Sequence, residues 1–430
     1  VSTKRRVAVE RVTGERELLV AAGINAVGIG MYIPFTLVFF RHVTGLSFAA
    51  VGMVLTVTGL AGLALMPLAG TAVDRFGAKP VVLVLYGIRT LGFLAYPFAT
   101  SLSAFAVVAL FTALADRSFA LVQQSLIGEV ARGAARDRLQ ASLRALQNAG
   151  MGAGAMIVSG VLALWGTGGF SWTAGANALA FAAAGLLVSR VRPVRDPGAA
   201  SERSAGAGRP AAGYRMVLRD RPFLGLAAAN FLTALGYSAL SVLFPLYIAT
   251  WLRGPDSLTG AAFTLNTVLC AGAGVLIASR VRRSGARRTR SAALGSLLFA
   301  AAFVGQIVLG TVRPGSTGLL IALMAIVVVY TVGELIHSPS GGALSVSAAP
   351  EAVRGRYLAT YQLSYSLAGA LAPSLFTALL SVDGRLPWAV LAVAAVGAAA
   401  ALVRLERHLP DEAVHAEPPV PVAAPAPVAA

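Results

Sequence analysis

The sequence predicts an all-α membrane protein, with twelve transmembrane helices arranged as two pseudo-symmetric six-helix bundles. Three observations predict it. Of the 430 residues, 57% are hydrophobic and only 12% charged, with a mean hydropathy of +0.75. Soluble domains carry about twice that share of charge. Apolar runs of about 20 residues recur along the whole chain, each long enough to cross about 30 Å of hydrocarbon as a helix. Basic residues also fall mostly in every second joint between runs, the distribution expected of a protein threaded repeatedly through a bilayer.

In order, the predicted spans are 18–40, 47–69, 80–98, 102–124, 143–164, 170–188, 222–250, 259–279, 291–310, 317–337, 357–380 and 386–404. They are continuous and rich in Ala, Leu and Gly, and they lack the ten-residue alternation of a membrane β-barrel, so helices are expected. Residues 1–189 are predicted to form the first bundle and 222–407 the second. Between them, 190–221 is an Arg-rich linker expected to lie on the anionic inner face of the membrane. The Pro/Ala-rich tail, 408–430, ends in EPPVPVAAPAPVAA and is expected to be disordered. No cleavable leader is expected, because the first apolar run is long, lacks a small-residue cleavage pattern and is followed by many others.

The net charge of +17 would suggest nucleic acid in a soluble protein. Here 27 of the 35 Lys and Arg residues fall in the amino terminus, alternate joints and the carboxyl tail, while the opposite joints hold only Arg41, Arg253, Arg313 and Arg385. The excess therefore reads as topology, with both termini cytoplasmic in a bacterial inner membrane, and no nucleic-acid partner is expected. A single cysteine, Cys270, excludes a disulfide scaffold, and four scattered histidines do not suggest a metal site. His42 and His337 are predicted to lie at joints or span ends. There is no phosphate-binding GxxxxGK[ST] loop, so ATP hydrolysis is not expected. No convergent catalytic group marks an enzyme, and no cofactor is implied.

Internal duplication is the second organising signal. Asn25 and Tyr32 in the first span reappear as Asn230 and Tyr237 in the seventh, both shifted by 205 residues. Asp116 and Glu334 correspond at a shift of 218, as do Arg138, Ala141 and Ser142 with Arg356, Ala359 and Thr360. Paired bundles commonly enclose a central route whose two ends open alternately.

Several polar residues fall inside or beside spans. Arg89 is placed near mid-membrane, where a charge is costly unless it meets water or a partner. It is a candidate substrate or coupling contact, with a fixed ion pair as the alternative. Asp116 and Glu334 are placed toward the inner ends of their spans, as gating or proton-carrying acids, and the adjacent Arg117 is a possible neutraliser of Asp116. Arg144 is expected to be an anchor or gate cation. Asn25 with Tyr32, and Asn230 with Tyr237, sit nearly two turns apart on shared helix faces and are candidate route-lining groups. Tyr361, Gln362 and Tyr365 form a polar-aromatic patch that, with Phe35 and Phe244, suits an amphipathic ligand. Helix packing is the bland alternative for each.

Between spans 2 and 3 stands GTAVDRFGAK, Gly70 to Lys79. Its glycines permit a tight joint, while Asp74, Arg75 and Lys79 can pair with opposite charges or lipid phosphate to hold an inner-closed arrangement. This stretch resembles the G-x-x-x-D-R-x-G-x-K/R motif of the major facilitator superfamily, at the joint where that family carries it. A degraded counterpart, ASRVRRSGARR, lies between spans 8 and 9, with Ser279 where the acid would stand. The resemblance covers roughly residues 15 to 407 and implies a secondary transporter with a central aqueous cavity. Two departures stand out. NAGMGAGAM supplies Gly150 and Gly154 but places Ala155 where family drug exporters carry proline in span 5, and the Arg-centred span-4 pattern is not matched cleanly. VGELIHSPSGG and APEAVRGRY are similar to twelve-span bacterial multidrug exporters. The resemblance thus implies proton-coupled efflux of small amphipathic or drug-like compounds. A nutrient or metabolite permease, as proton symporter or uniporter, is the alternative. Its partners would be a small-molecule substrate, protons and lipid, and a monomer is expected.

Overall fold

The computed structural model describes residues 14–131, 133–191, 212–255, 257–350 and 353–415, and among these it contains helices and no strand. The central part of the predicted linker, 192–211, and the tail from 416 onward lie outside the described residues.

The first half comprises α1 (Glu15–Tyr32), α2 (Thr36–Thr44), α3 (Phe48–Phe76), α4 (Ala78–Ala95), α5 (Leu102–Val130), α6 (Gly133–Trp165) and α7 (Gly169–Arg190). After a short helix α8 (Ala212–Arg219), the second half holds α9 (Arg221–Ser238), α10 (Ser257–Arg283), α11 (Arg288–Val312), α12 (Ser316–Ser347), α13 (Arg354–Val382) and α14 (Leu386–Leu405). A last turn, α15 (Asp411–Val414), packs on α11 and α12. Helix starts carry their own caps. Ser47 accepts from Ala50 N, Ser101 from Ala104 N and Asp220 from Phe223 N, each satisfying an amide with no partner inside the helix.

Among the described residues ten helices are long and apolar enough to cross a membrane, and α1 with α2 makes an eleventh if the bent pair is one span. The chain is a polytopic membrane protein. The 27-residue α10 stands outside that set. The predicted straight span 18–40 is instead bent by 74° across Ile33–Phe35, where Pro34 offers no backbone N–H to the ladder. The seventh span runs unbroken over Arg221–Leu252, but widens to π-type turns at Ala239–Leu243 and Ile248–Leu252. Helices α5 and α12 continue well past the apolar runs that predicted them, α12 carrying Pro339 inside it. Asp116 and Glu334, expected near inner ends, consequently lie at mid-helix.

The two halves repeat one packing scheme. In the first, α1 packs on α6 and α7, α3 on α5, and α4 on α5 and α7; in the second, α9 packs on α13 and α14, α10 on α12, and α11 on α12 and α14. Each half closes on its own aromatic core, with Phe39, Phe93 and Phe170 in one and Phe299, Tyr330 and Trp388 in the other. Phe35 and Phe244, expected to face a ligand, are buried in these cores because their helices turn them inward. Leu91, Trp172, Leu179 and Val393 stay exposed on the outside, an apolar belt that hydrocarbon covers without penalty.

Contact between halves runs along α3 with α13 and α6 with α10. Thr56 Oγ1 accepts from Ser374 N at 3.1 Å. A Cβ added at Gly52 would stand 2.6 Å from Thr377 Oγ1, and one at Gly152 would stand 2.7 Å from Thr267 Cγ2. Most of these contacts lie toward the end whose joints hold Arg41, Arg253, Arg313 and Arg385. Toward the opposite, strongly basic end, Gly128, Gly272 and Gly342 have no neighbour within 4 Å of a Cβ position. The halves therefore meet most closely at the end that holds those four arginines.

Candidate functional site

Behind the seam lies a cavity of about 270 Å³. Helices α1, α3 and α5 line most of it, through Tyr32, Thr58, Thr112, Asp116 and Arg117, while Ser241 and Gly369 reach it from the second half.

In the first half, four predicted residues converge. Arg89 on α4 donates from Nε to Asp116 Oδ1 at 2.6 Å, and its Nη2 lies 2.6 Å from the same oxygen. Its Nη1 donates to Asn25 Oδ1 at 3.0 Å, and Tyr32 OH donates to Asp116 Oδ2 at 3.3 Å. Phe119 and Phe181 flank the guanidinium, with ring centroids 4.2 and 5.2 Å from Cζ. Arg89 is only 3% exposed, so it braces the bundle and offers no free donor face to a solute. The contact ion-pair partner of Asp116 is thus Arg89, while Arg117 acts on Asp116 only at longer range. Neighbours on a helix point about 100° apart, so adjacent residues do not face each other.

The second half repeats the positions with different chemistry. Glu334 Oε2 accepts from Asn266 Nδ2 at 2.9 Å, and that amide also donates to Thr331 Oγ1 at 3.0 Å. Glu334 makes no ion pair with any described residue. Tyr237 OH lies 3.2 Å from His337 Nδ1, and Asn230 Nδ2 donates to Ser364 Oγ at 2.8 Å. Phe93 packs on Tyr32 and Phe299 on Tyr237, which aligns α4 with α11 and sets Gly295 where Arg89 stands. The correspondence of Asp116 with Glu334 likewise sets His337 where Phe119 stands. A Cβ at Gly295 would lie 2.6 Å from His337 Cβ, so the histidine closes over the position that Arg89 fills in the first half.

His337 was expected at a span end, but α12 continues ten residues beyond it and the ring is buried. Sequence reasoning passed over His337, Asn266, Thr331 and Ser364 as site residues. One signal was available, since His337 lies three residues after Glu334 and so shares its helix face.

Other predicted residues lie apart from this centre. Tyr365 packs tilted against Tyr237, with ring centroids 5.6 Å apart, Tyr361 is half-buried and Gln362 exposed. Arg144 is exposed on α6. At the joint of α3 and α4, Gly77 takes a φ of +84°, a conformation that favours glycine. Lys79 Nζ donates to Ser189 O at 2.6 Å, and Glu129 accepts from Ala78 N at 3.0 Å, capping α4. Arg75 lies over the Phe76 ring, and Asp74 is exposed with no partner among the described residues. Gly150 and Gly154 serve close packing of α6 on α1. Among the described residues no group of His, Cys, Asp and Glu is arranged to hold a metal ion.

A sequence profile described as Major Facilitator Superfamily matches residues 18–373 and 226–429. Multidrug resistance protein MdtH of Aeromonas hydrophila is 26% identical over 354 residues, covering 79% of this chain and 81% of its own. An uncharacterized MFS-type transporter of Mycobacterium tuberculosis is 30% identical over 314 residues, covering 71% of this chain and 70% of its own. Among solved structures, the nucleoside transporter NupG superposes with a TM-score of 0.72 at 13% identity, over 91% of this chain and 99% of its own. A D-xylose-proton symporter superposes with a TM-score of 0.71 at 15% identity, over 92% and 98%. At such identities the structural likeness is one of fold.

Proposed function

The chain belongs to the major facilitator superfamily, and on that premise we propose that it is a proton-coupled permease for a small polar solute. Membership makes it a transporter of small solutes across a membrane and not an enzyme. The observation that carries the permease reading is the cavity itself. It is small, shared between the halves, and lined by threonines, tyrosines and ionised groups as well as by apolar side chains. Such a lining recognises hydrogen-bonding solutes better than lipophilic ones. The fold neighbours include proteins named as peptide and nucleoside transporters and as a xylose–proton symporter. Drug efflux, the reading the sequence motifs put first, becomes the second one. The MdtH relatives, named for multidrug resistance, support it.

In this reading α10 is the remaining crossing, giving six per half, and the basic joints face the cytoplasm, so the cavity opens inward. The protein acts as a monomer in a bacterial cytoplasmic membrane. Glu334 is the coupling acid, because an ionisable group in the membrane with an amide partner but no cation has a proton as its available counter-charge. Asp74, Arg75, Lys79 and Arg144 gate the inner end, pairing across it when the halves close there. Tyr237, Tyr361, Gln362 and Tyr365 form the second-half wall of the route.

Purified protein in sealed vesicles with an imposed pH gradient tests the reading. A symporter accumulates solute against its gradient with protons moving in the same direction. Proton movement opposite to the solute selects efflux, and solute equilibration without proton movement removes coupling altogether.

A further inference from the structure

Arg117 lines the cavity without a hydrogen bond or contact ion pair to any described residue, and Asp116 acts on it only at longer range. Asp116, its neighbour, already has Oδ1 held by Arg89 and Oδ2 by Tyr32. Arg117 forms no hydrogen bond or ion pair with a described residue, and Asp116 is the one carboxylate among the cavity-lining residues. Its stem lies along α3, with Cγ 3.3 Å from where a Cβ at Gly62 would stand. The guanidinium reaches the seam, with Nη2 at 3.4 Å from a Cβ position at Gly59 and Nη1 at 4.0 Å from one at Gly369. Glycines on both halves thus let the guanidinium lie at the seam between α3 and α13. With Asp116 matched by Arg89, Arg117 leaves the cavity one positive charge in excess.

We propose that Arg117 anchors an anionic group on the transported solute, so that the substrate is a small organic acid. The inference deepens the permease reading and rests on it. A guanidinium presents paired N–H donors that match a carboxylate or sulfonate, and a water-poor cleft strengthens that pairing over what bulk water allows. The volume, near the lower end of the range of about 300–1,000 Å³ usual for ligand sites, restricts the acid to a small one. Because Gly59 belongs to one half and Gly369 to the other, an acid held there touches the seam that alternating access has to remake.

The test uses the full chain in detergent, with Cys270→Ser to remove the native thiol and Ser241→Cys to place one on the cavity wall. Reaction rates are measured with an anionic methanethiosulfonate, the sulfonatoethyl reagent, and with its cationic trimethylammonium analogue, each divided by its rate on a free thiol. Attraction by an unpaired cation predicts roughly tenfold preference for the sulfonate. Arg117→Gln removes the preference and Arg117→Lys keeps most of it. A preference that survives Arg117→Gln, or that favours the cationic reagent in the parent, overturns the inference while leaving the permease reading intact. Failure of both reagents to react overturns the open cavity, and with it both readings.

Discussion

The two halves share a packing scheme but solve the same problem in opposite ways. In the first, the mid-membrane carboxyl is cancelled by a buried arginine that also holds Asn25 and stacks between two phenylalanines. In the second, the corresponding carboxyl has an asparagine and no cation, and the arginine's position is a glycine covered by histidine. The first is a completed brace whose two charges cancel. The second holds its acid by a neutral hydrogen bond that survives a change of charge. Duplication supplied equal positions, and divergence at two of them, Arg89/Gly295 and Phe119/His337, separates a half whose acid is ion-paired from a half whose acid is not.

The largest expected effect follows from breaking the brace. Arg89→Met leaves Asp116 without a cation, and unfolding in detergent should show a loss on the order of 3 kcal/mol, as for a buried pair stripped of one partner. Adding Asp116→Leu should recover most of that loss, since an apolar pair of similar volume has no charge left to solvate. A single variant as stable as the parent would remove the brace and the contrast with it.

Glu334→Gln is expected to act on transport alone. The amide keeps an acceptor for Asn266, so unfolding should move by less than about 1 kcal/mol. Uptake driven by a pH gradient should be lost while solute counterflow persists. Destabilisation as large as that of Arg89→Met would show that both halves use their acids structurally.

His337→Phe copies the first half's Phe119 into the second. The ring packing on Gly295 is preserved and the bond to Tyr237 is lost, so a cost of about 1 kcal/mol is expected in thermal unfolding. A gain in stability would mean that the histidine is kept for function at the expense of packing.

The smallest effect concerns the basic end of the second half. Glu406 accepts from Arg287, Arg290 and Thr289, while Arg288 holds the carbonyls of Glu412 and Ala413. Burial works to raise the Glu406 carboxyl, but the hydrogen bonds from Arg290, Arg287 and Thr289 outweigh it and hold the group at about 2, below its ordinary 4.5. A depressed carboxyl contributes stability that is present above the unfolded value and lost as pH falls through the folded one. The difference in melting temperature between parent and Glu406→Gln should therefore be full above pH 4.5 and vanish toward pH 2. A difference that stays constant across that window would rule out the clamp as its origin. The first half ties its equivalent joint through Lys79 to the Ser189 carbonyl and through Ala78 N to the Glu129 carboxylate, with no arginine cluster on one acid.

Much of this was legible beforehand. Span positions follow from hydropathy because hydrocarbon accepts only helices with satisfied backbones. The duplicated Asn/Tyr and Asp/Glu positions were readable as offsets, and the structure puts both tyrosines into polar networks beside those acids. Partner choice was not readable. Arg117 adjoins Asp116 in the sequence, yet the contact ion pair comes from Arg89 on another helix. Helix ends were misjudged for α5 and α12 because both outlast their apolar runs, and that error moved Asp116, Glu334 and His337 toward the membrane edge.

The sequence by itself determined that the chain is a polytopic helical membrane protein built from two related halves, because helix length, apolar content and basic-joint bias are local quantities summed along the chain. Only the tertiary structure decided which charges cancel, which one is left over, and at which end the halves meet. Those depend on side chains brought together from helices far apart in sequence, and a few ångströms between an arginine and one of two acids is not written in either helix alone.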